Sequence, residues 1–419
     1  MRRRQSRMPW LATDAVKERT KFVLKWEERF NEAEGGRVNV AELCRMFGIS
    51  RQTGYEWIGR YREAGRIDSL AERSRRPLSS PTKVSDEVEA MVVAARKQRP
   101  TWGARKLRRV LVERYPSTEW PSASCMTAIL DRHGLTTKRR KRRKTPVVVK
   151  LPFAACDRPN AVWCIDFKGK FRTQDGTWCH VLTLVDAYSR FLLRAEVLLN
   201  PTGRNVERVL DAAFQEFGLP TAMRSDNGPP FASTGAGGLT ELSVWWLLLG
   251  LRLERIEPGK PYQNGRLERL HLTLEEVVGT PSANPRAQQR AIDLWRKDYN
   301  EHRPHEALGM RCPIDVYAHS RRRYPCRLID PRTASPEPDE VYRLDNNGRL
   351  RWSGRWILIS SALGGEFVVV ENLSDWTQYA VSFGGVRLGT FRSDDLGRGL
   401  RIPRRRRRKP GEASILSLA

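Results

Sequence analysis

Between Pro159 and Glu301 the apolar pattern reads strand, strand, strand, helix, strand, helix, strand, helix, helix, and no other stretch of the 419 residues restricts the fold so tightly. Residues 161–169 alternate, with Val162, Cys164 and Asp166 on one face and Trp163, Ile165 and Phe167 on the other. Two more apolar strands, 177–185 and 190–198, follow after short connections, which predicts an antiparallel meander. Residues 203–217 are helical, with Val206, Val209, Leu210, Ala213 and Phe217 inward. A short strand over 221–225 ends at Asp226, a helix covers 239–249, and a last strand covers 251–256. A mixed sheet with helices on both faces is the layer arrangement such an order allows.

That order matches the ribonuclease-H-like fold, and it sets acids at telling places. Asp166 lies inside the first strand and Asp226 just after the fourth, two strands that are neighbours in this topology. The stretch KPYQNGRLERLHLTLE over 260–275 then enters a helix whose buried stripe is Leu267, Leu270, Leu274 and Val277. Glu268 is off that stripe, level with His271 and Glu275, and can face the sheet edge. His271 either reaches a phosphate or makes a supporting hydrogen bond. Three converging carboxylates repel one another unless a cation neutralises them. Oxygen-only ligands favour Mg²⁺, with Mn²⁺ as a substitute. Two such ions support in-line phosphoryl transfer without a covalent enzyme intermediate. Each acid alone reads more simply as a turn or strand residue, and the reading rests on the combination. Asp186, at a strand end before a turn, reads as structural.

The net charge of +27 bears on what is transferred, because a field of that sign attracts polyanions, nucleic acid first among them. Cys44, Cys125, Cys156, Cys164, Cys179, Cys312 and Cys326 are scattered and include no CxxC pair, so neither a disulfide framework nor a zinc finger is expected. The basic start is followed by no apolar leader core, and no apolar run is long enough to span a bilayer. A soluble cytoplasmic protein associated with the nucleoid is the expectation.

Upstream, residues 1–70 read as a helix-turn-helix domain, although a plain helical hairpin fits the same pattern. Asn39 caps one helix, Gly48 ends it, and Ser50 caps the next, which carries Arg51, Gln52, Thr53 and Tyr55 in its first turns where base edges would be met. Gly54 stands where a larger apolar residue is usual, at about 1 kcal/mol of helix propensity. A Pro- and Ser-rich linker, 71–82, leads to a second three-helix unit over 83–137, read as another helix-turn-helix domain, with dimerisation as the competing role. A basic linker, 138–158, opens with Lys138, Arg139, Arg140, Lys141, Arg142, Arg143 and Lys144, a block suited to tracking phosphates. The catalytic core is expected over 159–320, a linker over 321–340, a small SH3-like closed β-barrel over 341–400, and a basic disordered tail over 401–419.

WCIDFKGKF, LTLVDAYSRF, RSDNGPPF, PGKPYQNGRLERLHLTL and YNEHRPHEALGMRCP together resemble the integrase-type core of bacterial insertion-sequence transposases, relatives of retroviral integrases. The resemblance covers residues 159–317, and PTWGARKLRRVL is similar to the subgroup with paired N-terminal helix-turn-helix units. It implies a DDE triad at Asp166, Asp226 and Glu268. The interval 268 − 226 = 42 is longer than the family's commonest spacing, with the Gly-rich segment FASTGAGG taking up the excess. It also implies cleavage at the element's 3′ ends, strand transfer into target DNA, binding of terminal inverted repeats, and at least a dimer on paired ends. Lys260, Gln263, Asn264, Arg266 and Arg269 flank the last acid and are candidate DNA contacts. A DNA-binding regulator with an inactive core and a nuclease acting on RNA–DNA hybrids are the rival readings.

Overall fold

The computed structural model describes residues 15–33, 37–72, 83–136, 155–257, 261–324, 340–374, 376–396 and 399–402. The chain forms two compact units, 1–85 and 86–419. The basic block 138–144, Lys260 and most of the tail lie outside the described residues.

The first unit holds α1 (Ala15–Glu32), α2 (Val40–Met46) and α3 (Arg51–Ala64) around Phe22, Val23, Leu43, Cys44 and Trp57. Asn39 accepts from the Glu42 N–H and Ser50 from the Thr53 N–H, so both helices begin at the caps their sequences supply. Gly54 has a reason that its helix propensity hides. A Cβ there would fall on Cys44 Sγ and within 3.1 Å of Phe22, so the glycine lets α3 cross α2 and α1 closely.

In the second unit α4 (Asp86–Gln98), α5 (Ala104–Arg114) and α6 (Ala123–Arg132) precede β1 (Val162–Arg172), β2 (Trp178–Asp186), β3 (Leu192–Leu198), α7 (Gly203–Phe217), β4 (Ala222–Ser225), α8 (Glu241–Leu248), β5 (Arg252–Arg255), α9 (Gly265–Val278) and α10 (Pro285–Glu301). The strands lie in the order β3-β2-β1-β4-β5, the first three antiparallel and the last three parallel, a mixed five-stranded sheet of ribonuclease-H-like type with β1 at its centre. Trp163 and Ile165 pack with α7 and α8 on one face, while Val162 and Cys164 pack with Leu267, Leu270 and Leu274 of α9 on the other. The α4–α6 helices seat on this core. Arg99 grips Asp298 through both guanidinium ends, one at 2.6 Å, and Thr101 donates to Glu276 at 2.6 Å.

The remaining strands are β6 (Val341–Arg343), β7 (Arg349–Trp352), β8 (Arg355–Leu358), β9 (Phe367–Ser374), β10 (Gln378–Phe383) and β11 (Val386–Arg392). Here the closed barrel is corrected. Among the described residues these strands form an open antiparallel sheet, β11-β10-β9-β6, and a separate β7-β8 hairpin. The apolar face is covered by the core itself: Ala236 from the Gly-rich segment, Leu239 just after it and Val244 from α8 join Leu344, Leu363, Val381 and Leu388 in one cluster. A sheet buried in that way need not close on itself. Part of the chain between Asp226 and Glu268 therefore docks the C-terminal strands. No helix among the described residues is long and apolar enough to cross a membrane.

Candidate active site

Strand register brings the first two acids together. β1 and β4 pair in parallel from Val162 opposite Ala222 to Cys164 opposite Arg224, so each acid follows the last paired residue of its segment by two positions, and the charge of Asp226 is felt at Asp166. Asp166 shares the α9 face of β1 by alternation, and its Oδ1 accepts the Phe167 N–H at 2.8 Å. Asp226 begins a tight turn in which its Oδ1 accepts from the Gly228 N–H at 3.2 Å, while Asn227 donates to the Ile256 carbonyl and pins that turn to the exit of β5. Glu268 lies in the first turn of α9, exposed, while Leu267 and Leu270 on either side of it are buried. The buried stripe ends on Val278, with Val277 only packed against it.

Burial first, then the charge of Asp226, and then that of Glu268 push the Asp166 carboxyl up to about 6, against the Phe167 N–H, which favours the ionised form. The charges of both other acids are thus felt at Asp166. Glu268 contributes least to the shift, and among the described residues no three His, Cys, Asp or Glu side chains stand close enough to grip an ion as they are placed. The residues nevertheless fit Mg²⁺ in chemistry: hard oxygens only, a half-buried carboxylate held at an unfavourable charge, and an exposed third acid free to turn toward it.

His271 makes the supporting bond. Its Nε2 lies 2.8 Å from Thr183 Oγ1, and that hydroxyl donates to the Asp166 main-chain oxygen at 3.1 Å. With the one hydroxyl proton committed to the carbonyl, the histidine donates from Nε2, and burial followed by Lys168 lowers its pKa to about 4, keeping it neutral. Glu275 is held by Lys168 at 2.9 Å. Asp186 is buried and accepts from the Asn160 N–H, the Ser189 N–H and the Ser189 hydroxyl, which closes the β2–β3 turn.

The flanking polar residues divide. Gln263 is buried, with its Oε1 accepting the Glu257 N–H at 2.7 Å and its Nε2 donating to Glu257 Oε1 at 3.1 Å, so it clamps the chain. Asn264 is buried as well. Arg269 is exposed and Arg266 half-buried. In the first unit Arg51, Gln52 and Tyr55 are exposed on the opening turns of α3, and Thr53 is occupied by the cap with Ser50. Sequence reasoning passed over the buried pair of Arg224 and Glu254, at 2.8 Å on neighbouring strands beside Asp226, although charges inside two short apolar strands were a signal for it.

The integrase core domain family matches residues 157–261, with a second integrase core description over 249–313, and homeodomain-like domains match 15–71 and 53–130. Sheet order, acids and family matches together define a DDE polynucleotidyl transferase of the transposase and integrase class. The insertion element IS407 uncharacterized 31.7 kDa protein of Burkholderia multivorans is 31% identical over 293 residues, 68% of this chain and 93% of that relative. The insertion element IS476 uncharacterized 39.2 kDa protein of Xanthomonas euvesicatoria is 28% identical over 262 residues, 62% and 73% of the two chains. The chain belongs to the insertion-element transposase family with an integrase core and N-terminal homeodomain-like domains. Among solved structures the HTLV-2 integrase catalytic core domain in complex with magnesium is 15% identical, covers 39% of this chain and all of that one, and superposes at a TM-score of 0.31, too loosely to add to the fold assignment.

Proposed function

We propose that this transposase binds the terminal inverted repeats of its own insertion element, cleaves at the 3′ ends, and joins the freed 3′-hydroxyls to target DNA, with Asp166, Asp226 and Glu268 holding two Mg²⁺ ions. The observation that supports the reading is the parallel pairing of β1 with β4 two residues before Asp166 and Asp226, with the charges of Asp226 and Glu268 both felt at Asp166. Bound Mg²⁺ supplies Lewis-acid activation of the attacking oxygen and neutralises charge on the leaving oxygen. Cleavage forms a bond from water oxygen to phosphorus and breaks the P–O3′ bond, leaving a 3′-hydroxyl. Transfer forms a bond from that 3′-oxygen to a target phosphorus and expels the target's own 3′-oxygen.

The protein's residues hold these partners in line. Asp166 is held by the Phe167 N–H and, through its main-chain oxygen, by the Thr183–His271 brace, and Asp226 by the Gly228 N–H, so they give the site its rigid side. Glu268, on an exposed helical turn, gives its adjustable side. Arg266 and Arg269 flank it on α9 and suit backbone phosphates, with Lys260 and the basic block 138–144 as further contacts. Arg51, Gln52 and Tyr55 on α3 suit base edges in the major groove, Thr53 holding that helix start in place. One active site for each DNA end requires at least a dimer on paired ends, and DNA binding implies association with the nucleoid.

The test uses full-length protein, a labelled duplex carrying the element's terminal repeat, supercoiled target plasmid and Mg²⁺. Joined product from wild type, lost in Asp166→Asn, Asp226→Asn and Glu268→Gln with end binding kept, is the expected result. Full activity in any one variant overturns the triad, and cleavage without joined product converts the reading to a nuclease.

A further inference from the structure

A second concentration of charge lies beside the acids, and the triad makes no use of it. Where α5 meets the core, Lys106, Arg190, Arg266, Arg269, Arg303 and His305 line a cavity of about 390 Å³, with Glu306 the only carboxylate on its wall among the described residues. The volume exceeds the roughly 30 Å³ share of one water molecule several times over, leaving room for a phosphate and its flanking sugars. Arg190 sits in the left-handed region at φ 64, its Nη1 anchored on the Ala187 carbonyl at 2.8 Å. Arg303 is nearly buried and is held by Glu276 at 3.2 Å, and Arg105 reaches Glu306 at 3.6 Å. Arg266 Nη1 and the imidazole Nε2 of His305 are buried with no hydrogen-bond partner among the described residues.

Cations packed this closely oppose one another. Burial first, and then Arg303 and Arg269, bring Lys106 down to about 8, and the same crowding with burial keeps His305 neutral, its pKa near 3. The Arg266 guanidinium N–H is a buried donor without an acceptor, which is costly, and an anion satisfies it, joined by His305 when that ring carries its proton on Nε2.

We infer that this cavity receives a backbone phosphodiester of the bound DNA, so that the strand itself bridges the α4–α6 helices and the catalytic core. The inference rests on the reading that the chain binds DNA. Two observations favour a strand phosphate over a free ion. Arg266 and Arg269 stand on the helix that carries Glu268, on its other flank, so cavity and acid lie one helix diameter (about 10 Å) apart, within the span of one bound strand. Lys106 comes from α5, so the pocket is complete only with the helical unit seated as the Arg99–Asp298 grip seats it.

Lys106→Gln tests it, because the two states pull in opposite directions. Removing a cation crowded by like charge leaves the free protein as stable or raises its Tm. Losing a phosphate contact weakens DNA binding. Full-length wild type and variant are compared by anisotropy on a fluorescein-labelled random-sequence duplex in EDTA between about 50 and 200 mM salt, where each contact contributes about 0.9 to the slope of log K against log salt. A second arm measures the Tm shift caused by inorganic phosphate. The expected result is a slope lower by about 0.9 in Lys106→Gln with Tm unchanged or raised, and phosphate protection of wild type that the variant lacks. An unchanged slope overturns the inference. Phosphate protection with an unchanged slope assigns the pocket to a free anion and overturns the strand assignment. Failure of wild type itself to bind the duplex instead sinks the underlying DNA-binding reading, and is told apart because it appears before any substitution is made.

Discussion

His271 and Thr183 meet at 2.8 Å between α9 and β2, and the Thr183 hydroxyl in turn holds the main-chain oxygen of Asp166 at 3.1 Å. The helix that carries one acid is thereby tied to the strand that carries another.

His271→Ala removes the tie while leaving every acid in place. The expected outcome is a strand-transfer rate lowered several-fold with end-binding affinity unchanged, and a stability loss of about 1 kcal/mol. Thr183→Val acts the same way. His271→Gln, whose Nε2 amide still donates, restores most of the rate. Single-turnover assays with denaturant melts on each variant make the comparison.

Asp166→Asn stabilises the metal-free protein as it abolishes chemistry. The folded carboxyl titrates at about 6, above its ordinary 3.8, so between those values the folded state holds the proton more tightly and stability falls as pH rises. Above about pH 6 the whole cost is present, and the asparagine variant lacks it. Discounted for the partial exposure of Asp166, a gain of roughly 1–2 kcal/mol at pH 7 is expected, vanishing below pH 4. Mg²⁺ raises the Tm of wild type and leaves that of the variant nearly unchanged. Thermal melts across pH, with and without Mg²⁺, measure both effects.

Gly54→Ala is expected to destabilise the first unit although alanine is the better helix former by about 1 kcal/mol. The added methyl lands on Cys44 and presses on Phe22, at an overpacking cost of about 1–3 kcal/mol. Cys44→Ala in the same chain makes room and recovers part of the loss. Urea melts of the full chain, followed by Trp26 and Trp57 fluorescence, report it.

Glu254→Gln takes the carboxylate from Arg224 in a pair whose side chains are 3% and 5% exposed. Removing one partner of a buried pair costs about 3–5 kcal/mol, and because β4 leads directly into Asp226 the activity falls as well. Replacing both residues by leucine costs less than the single change. A double-mutant cycle read by stability and by strand transfer separates the two effects.

Much of the core was legible from local pattern. The helix starts at Asn39 and Ser50 follow from side-chain capping, the α9 stripe from i, i+3, i+4 spacing, and the face of Asp166 from alternation along β1. Each of these depends on residues within one segment, whose periodicity is written in the order of side chains. The triad could be nominated for the same reason, because pattern puts Asp166 inside a strand, Asp226 at a strand end and Glu268 in the first turn of a helix.

What lies between segments was settled only in three dimensions. The charge of Asp226 is felt at Asp166 because of a parallel ladder spanning some sixty residues of sequence offset, a register that no local pattern sets. Gly54 is explained by the atoms of α1 and α2, and Gln263, polar and loop-borne, turned inward because the Glu257 main chain needed an acceptor. The C-terminal strands stayed open because Ala236, Leu239 and Val244 cover the face a barrel would have closed over. Lys106 and Arg303 joined one cavity only when α5 docked on the core. Periodicity and capping are short-range and survive in the sequence alone. Register, close approach and the pooling of charge depend on which distant surfaces exclude water together, and only the folded chain decides that.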